Sequence, residues 1–390
     1  MSDTIGAGDP AALAGAQGEL TRLGQSIWLD YIRRGILDDG TLERMITELA
    51  VRGVTSNPAI FEQAIVASSD YDVALERLAA DGATVAEAYE ALVIEDIQRA
   101  ADIFRAVYDT SAAADGYVSL EVSPELAYDA HGSLEEARRL WAAVDRPNLM
   151  IKIPGTSECG PVIEELLSEG INVNVTLLFS RESYDRVIEA YLRAMERRVA
   201  EGKPLARIAS VASFFVSRVD AAVDELLQRK LGEASEDVDR ARVASLLGKA
   251  AIANAKLAYG LFRERFTSER FAALAAHGAQ VQRPLWASTS TKNPAYRDVI
   301  YVEELIGRDT VNTVPLQTLQ AFADHGVARP TLEQNVEQAK ADLAALAGEG
   351  IDLDRITAEL QADGVEKFVI PFRRMLERLD ESLAAAATPK

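Results

Sequence analysis

The amino-acid sequence predicts an α/β protein, a (β/α)8 TIM barrel with additional helices at its N-terminus, after its second strand and at its C-terminus. Three observations lead there. Eight short apolar runs are separated by longer stretches of helical periodicity. That alternation favours a parallel sheet covered by helices, and eight repeats favour closure into a barrel. No Gly-x-Gly-x-x-Gly or Walker-type loop follows any run, so the main signature of an open nucleotide-binding sheet is missing.

The eight predicted strands span residues 26–32, 53–57, 117–122, 149–153, 171–178, 207–213, 284–288 and 309–314. Thr84 with Glu87, and Ser133 with Glu136, fit the capping box, in which a hydroxyl and a carboxylate satisfy free backbone donors at a helix start. Residues 61–110 hold two helices, the second from about 85 to 108. Beyond the eighth strand, Thr331 with Gln334 opens a further helix, and 353–361 and 365–386 are helical too. No Pro/Gly/Ser linker separates this tail. Residues 1–25 therefore read as an N-terminal extension, and 26–390 as one barrel domain whose helical cap begins near 330.

A chain of 390 residues with 48% hydrophobic content can bury a full core. Its formal net charge of −20 repels nucleic acid and anionic membrane, whose phosphates are held mainly by Lys and Arg. Any phosphorylated substrate must then be met by a few cations gathered locally. The one cysteine, Cys159, excludes an internal disulfide framework and suits a reducing cytosol; in a predicted loop it reads as a passive thiol. The first 25 residues have neither the basic start nor the apolar run of a signal peptide, and nowhere do roughly 18 uninterrupted apolar residues occur. A cytoplasmic protein is expected. Phe368, Ile370, Phe372 and Leu376 in the last helix seal either the barrel or a dimer contact, so monomer and homodimer both stand open.

Side chains alternate across a strand, and each predicted strand can be read face by face. Asp30 shares a face with Trp28, Thr55 with Asn57, and Glu121 with Ser119 and Ser123. Lys152 shares one with Met150, Thr176 with Asn174, and Ser213 with Val211. The opposite faces are apolar and suit the helix layer. In a barrel the polar faces point at a common axis, and active sites occupy the C-terminal rim. Asp30, Asn57, Glu121, Lys152, Thr176 and Ser213 should therefore converge. A single Lys–carboxylate pair serves packing as readily as chemistry, but burying charge is costly. Six polar residues directed at one point exceed what packing needs.

Desolvation in an apolar strand disfavours the charged form of an amine, and a neutral amine attacks carbonyls. The iminium so formed is an electron sink beside the carbon–carbon bond to be cleaved. Asp30 and Glu121 are the carboxylates available for the proton transfers that such a step requires. The three histidines, His131, His277 and His325, are scattered, and no ligand spacing suggests a metal site; no cofactor is expected. Residue types alone lead as far as Schiff-base aldol chemistry.

The motifs Ile27-Trp28-Leu29-Asp30, Thr55-Ser56-Asn57-Pro58, Ser119-Leu120-Glu121-Val122, Met150-Ile151-Lys152-Ile153-Pro154, Asn174-Val175-Thr176-Leu177-Leu178-Phe179-Ser180 and Ser213-Phe214-Phe215-Val216-Ser217-Arg218 resemble, in order, those of the transaldolase family, over about 25–317. The resemblance implies a transferase of the pentose phosphate pathway. It would carry a dihydroxyacetone unit between sedoheptulose 7-phosphate or fructose 6-phosphate and glyceraldehyde 3-phosphate or erythrose 4-phosphate. It implies that Lys152 attacks the ketose C2, that Asp30 takes the C4 hydroxyl proton, and that Glu121 and Thr176 hold the water of carbinolamine chemistry. Thr55, Asn57, Ser213 and Phe215 would bind the dihydroxyacetone moiety and Arg218 the phosphate. Ser288 and Lys292 stand near the place where the family often has a second arginine, and Lys binds phosphate without arginine's bidentate fork. Two other readings remain: a class I fructose-6-phosphate-type aldolase, which releases dihydroxyacetone, and a non-catalytic barrel that binds sugar phosphates.

Overall fold

In a computed structural model of the chain, which describes residues 15–66, 68–234 and 236–386, eight parallel strands close into a barrel in sequence order, the eighth pairing with the first. They are β1 (Gln25–Asp30), β2 (Val51–Thr55), β3 (Tyr117–Glu121), β4 (Leu149–Pro154), β5 (Val173–Leu178), β6 (Ser210–Phe215), β7 (Arg283–Ala287) and β8 (Thr310–Val314). All eight predicted strands are present, shifted by up to three residues at their ends. β6 starts later than predicted because Arg207 takes a left-handed φ of 69° and the Ala209 N–H donates to Asn172 Oδ1 at 2.9 Å; pairing with β5 begins only at Ser210.

Strands buried on both faces carry the core. Trp28 and Trp286 are fully buried and β-branched residues line the helix-facing side. Gly53 on β2 has a packing reason: a Cβ there would lie 2.7 Å from the Trp28 ring and 2.8 Å from the Tyr117 carbonyl oxygen. The barrel interior admits Trp28 only because β2 is bare at that point.

The helices depart from expectation in four places. Thr84 and Glu87 form the capping box as predicted, opening helix Val85–Ile103. Ser133 does not cap: helix Ala130–Val144 starts one turn earlier, where Asp129 Oδ1 accepts from Gly132 N–H at 3.0 Å. The buried Ser133 donates instead to Leu126 O at 2.8 Å, and Glu136 accepts from Ser123 N–H. Thr331 and Gln334 close a tight turn, and the next helix begins at Val336 behind Asn335, which is left-handed. Four helices, not two, occupy the span after β2: Pro58–Val66, Asp72–Ala80, Val85–Ile103 and Arg105–Thr110.

The two predicted C-terminal segments are one helix, Leu353–Ala386, 34 residues long and so about 50 Å from end to end. It continues through Gly364 and Pro371 because it is held from outside. Gln361 Nε2 donates to the Gly155 and Leu177 carbonyls at 3.1 and 3.0 Å, and Arg373 pairs with Glu125 at 2.7 Å. At Gly364 a Cβ would come within 2.9 Å of Leu177 Cδ2, so glycine lets the helix cross the C-terminal end of β5. Phe368 and Phe372 are buried within the chain while Ile370 is 53% exposed. Cys159 lies in the turn just ahead of helix Gly160–Glu169, in a loop as expected, and is buried there. Among the described residues no helix is long and apolar enough to cross a membrane. The first 14 residues of the predicted N-terminal extension lie outside the described residues; the rest form helix Ala16–Arg22 and the first residue of β1.

Candidate active site

At the C-terminal rim of the barrel lies a cavity of about 190 Å3. Asp30, Thr55, Asn57, Lys152, Thr176 and Ser213 line it, and Phe215, Arg218, Ser288 and Lys292 complete its far side. Of the residues singled out in the sequence, only Glu121 is not on that wall. It stands behind Lys152, its Oε2 3.4 Å from Nζ, because Glu121 and Lys152 are register partners on β3 and β4. Both side chains are only 6% exposed. Lys152 Nζ also donates to Ser56 O at 2.8 Å, and the Phe368 ring centroid lies 5.8 Å away.

The end of β1 places Asp30 beside Thr55, its register partner on β2. Thr55 Oγ1 donates to Asp30 Oδ1 at 2.7 Å, and Thr313 Oγ1 on β8 lies 2.7 Å from the same hydroxyl. Since the Thr55 proton is committed to the carboxylate, Thr313 supplies the second bond as donor. Burial pushes the Asp30 carboxyl above the usual carboxylate range, against the opposing pull of Thr55 and the cations Lys152, Lys292 and Arg218. Glu121 is raised for the same leading reason; Lys152 opposes the shift and Asp30 adds to it. Two carboxyls with displaced protons therefore flank one buried amine, an arrangement characteristic of sites that move protons.

Hydroxyls and amides fill the remaining wall. Ser213 Oγ donates to Asn174 Oδ1 at 2.7 Å, and Asn174 Nδ2 donates to Ser119 Oγ at 3.1 Å, a chain spanning β6, β5 and β3. Asn57 Oδ1 accepts from Ile60 N–H at 3.1 Å at the start of helix Pro58–Val66. Thr176 Oγ1 is buried and has no hydrogen-bond partner among the described residues. One residue further, Leu177 holds a left-handed φ of 61°, and Ser288 after β7 holds 55°. Such backbone costs roughly 1–3 kcal/mol per residue and persists where surrounding structure imposes it; Leu177 follows the cavity residue Thr176 in β5, and Ser288, which lines the cavity, directly follows β7.

Cations gather at one end, as the overall negative charge required. Arg218 lies one residue into helix Ser217–Glu233, its guanidinium 5.2 Å from the Phe215 ring centroid and 6.0 Å from that of Phe368. Its Nη1 is buried without a hydrogen-bond partner among the described residues, and burial pulls its pKa below the ordinary arginine value. Asp220, two residues further along the helix, accepts from Ala251 N–H and the Tyr301 hydroxyl. Lys292 donates to Ser290 Oγ at 2.8 Å; desolvation and neighbouring Arg218 lower its pKa. A buried donor with nothing to bind, beside a second cation, suits an anion.

Sequence reasoning passed over Thr313 and Ser290, which line the cavity, and left open whether Phe368, which lines it too, seals the barrel or a dimer contact. Thr313 was readable by the same face alternation, one position before the end of β8. Phe368 had a weaker signal, an apolar stripe with Phe372 and Met375, which does not say what the helix covers.

The family model described as Transaldolase/Fructose-6-phosphate aldolase matches residues 27–379. Among curated proteins, a transaldolase of Thiobacillus denitrificans is 50% identical over 361 residues, covering 93% of this chain and 98% of its own. Transaldolases of Saccharopolyspora erythraea and Trichodesmium erythraeum are 48% and 46% identical, each covering 94% of this chain and 97% of its own. Nearly the whole chain, barrel and C-terminal helix alike, is thus shared with these proteins, and it belongs to the transaldolase/fructose-6-phosphate aldolase family.

Proposed function

We propose that the chain is a transaldolase, a transferase that moves a dihydroxyacetone unit from a ketose phosphate to an aldose phosphate through a Schiff base on Lys152. One observation carries this reading: a buried amine, 3.4 Å from one desolvated carboxylate, lining the same cavity as another. Lys152 attacks C2 of fructose 6-phosphate or sedoheptulose 7-phosphate. Glu121 donates a proton to the carbinolamine hydroxyl and water leaves; the partnerless hydroxyl of Thr176 is the group left to hold it. Asp30 then takes the C4 hydroxyl proton as the C3–C4 bond breaks and its electrons flow into the iminium. The departing aldose phosphate is glyceraldehyde 3-phosphate or erythrose 4-phosphate, and the enamine left on Lys152 adds to the other.

Thr55, Asn57 and Ser213 bind the dihydroxyacetone hydroxyls, with Phe215 as the apolar wall. Arg218 takes the phosphate by its partnerless Nη1, with Lys292 as a point charge and Ser288 beside it. The role is metabolic and cytoplasmic, consistent with the lone buried thiol, and residues 26–390 act as one domain.

A fructose-6-phosphate aldolase would use the same lysine but release dihydroxyacetone at each turnover, and a sugar-phosphate-binding barrel would turn over nothing. The enzyme given fructose 6-phosphate alone should yield dihydroxyacetone at no more than about one equivalent per site, and should turn over when erythrose 4-phosphate is added. Sustained release without an acceptor would move the reading to the aldolase, and no reaction in either case would move it to a binding protein.

A further inference from the structure

The Lys152–Glu121 pair is the partition between two cavities. Lys152 lines the substrate cavity, Glu121 lines a second one of about 160 Å3, and Asn57 borders both. This side cavity runs outward between helix Val85–Ile103, helix Ala130–Val144 and the C-terminal helix, over the apolar side chains of Phe61, Val93, Leu140 and Phe372. Polar groups follow it from the partition to the surface. Tyr89 and Glu136 come after Glu121, and at the rim Glu90 pairs with Arg139 beside the exposed Ala86. Glu136 is anchored by Ser123 N–H at 3.2 Å. The Tyr89 ring packs edge-on against Phe372 at 5.5 Å, and its hydroxyl is held protonated by burial and by Glu121, Glu136 and Glu90 together. One hydroxyl is thus within electrostatic reach of all three carboxylates.

Schiff-base chemistry moves one water twice per turnover. In dehydration the carbinolamine hydroxyl takes a proton, its C–O bond breaks, and the nitrogen lone pair closes the C=N bond as water departs; hydrolysis reverses each change. Both steps occur with a whole ketose in the substrate cavity, whose wall includes Phe368. The sugar then stands between Lys152 and the open rim, so water must arrive and leave from the side of Glu121. We propose that the side cavity is the water port of the enzyme, delivering water to Glu121 and receiving it there independently of the substrate mouth. Its volume exceeds what one water needs, and a held water wants two to four polar partners, which Glu121, Tyr89 and Glu136 provide at its inner end.

The inference rests on the Schiff-base reading and can fail separately from it. Ala86→Trp blocks the rim from the surface and Leu140→Phe fills the floor, and neither residue lines the substrate cavity. Enzyme loaded with fructose 6-phosphate and freed of excess ketose is mixed rapidly with erythrose 4-phosphate, with sampling by acid quench and by borohydride. In both variants the acceptor should be consumed at the wild-type rate in the first turnover. Sedoheptulose 7-phosphate should appear about tenfold later, a barrier change of about 1.4 kcal/mol, while adduct persists on Lys152. Release that keeps pace with acceptor consumption, or equal slowing of both, overturns the water port. Absence of any adduct in the wild type would instead overturn the Schiff-base reading.

Discussion

Replacing Asp30 by asparagine preserves the shape of the side chain and its place beside Thr55, whose Oγ1 lies 2.7 Å from Asp30 Oδ1. What is lost is the carboxylate that receives the C4 proton. Loss of a positioned general base costs about 10²-fold or more, equivalent to about 2.7 kcal/mol of barrier, so kcat should fall by at least that factor. The amine of Lys152 and its partner Glu121 are untouched, so the adduct with fructose 6-phosphate should still form and should accumulate. Rapid-quench assay of glyceraldehyde 3-phosphate, alongside borohydride trapping, separates the two steps. The same variant has a stability signature. Asp30 is raised in the folded chain, so its carboxyl contributes fully below its unfolded value near pH 4, and the contribution is lost as pH rises through the folded value. Asparagine has nothing to ionise; the variant should melt above wild type at pH 7 and lose that advantage toward pH 4. Wild-type turnover by Asp30→Asn would refute the assigned role, and a lower melting temperature at pH 7 would refute the desolvation argument.

Arg218→Ala should raise KM for fructose 6-phosphate by about 10- to 100-fold, the loss of a charge-assisted contact of about 1.5–3 kcal/mol, and leave KM for unphosphorylated fructose unchanged. Because burial raises both Asp30 and Glu121, activity that needs Asp30 ionised should be lost on acidification at a pH above the ordinary carboxylate range; a kcat/KM profile flat down to pH 4 would count against it. Gln361→Ala strips two carbonyls, of Gly155 and Leu177, of their donor and should cost about 1–3 kcal/mol, read as a lower urea midpoint. Phe368→Ala removes a wall shared by Lys152 and Arg218 and should increase dihydroxyacetone release relative to transfer, measured as the product ratio.

Much of this was legible in the sequence because barrel strands obey two simple rules, burial on the helix side and convergence on the axis side. Alternation alone brought Asp30, Lys152, Thr176 and Ser213 to one cavity. It could not reveal that Glu121 lies behind the amine, since that follows from β3–β4 register, which no single strand encodes. Ser133 misled because a hydroxyl three residues before a glutamate is ambiguous, and Asp129 satisfies the helix start one turn earlier. The unbroken C-terminal helix was hidden by Gly364, a residue unfavourable inside a helix that lacks outside support. Here glycine is what permits the crossing over Leu177. Phe368 reaches the site across more than 200 residues of chain from Lys152, a contact that local patterns do not carry.

The central claim is an amine at position 152 that bonds covalently to a ketose. Enzyme reduced with borohydride in the presence of fructose 6-phosphate, then digested and analysed by mass spectrometry, should carry a reduced three-carbon or six-carbon adduct on the peptide containing Lys152. Lys152→Ala should carry none. An unmodified Lys152 in inactivated enzyme, or an adduct on another lysine that Lys152→Ala retains, would contradict the account.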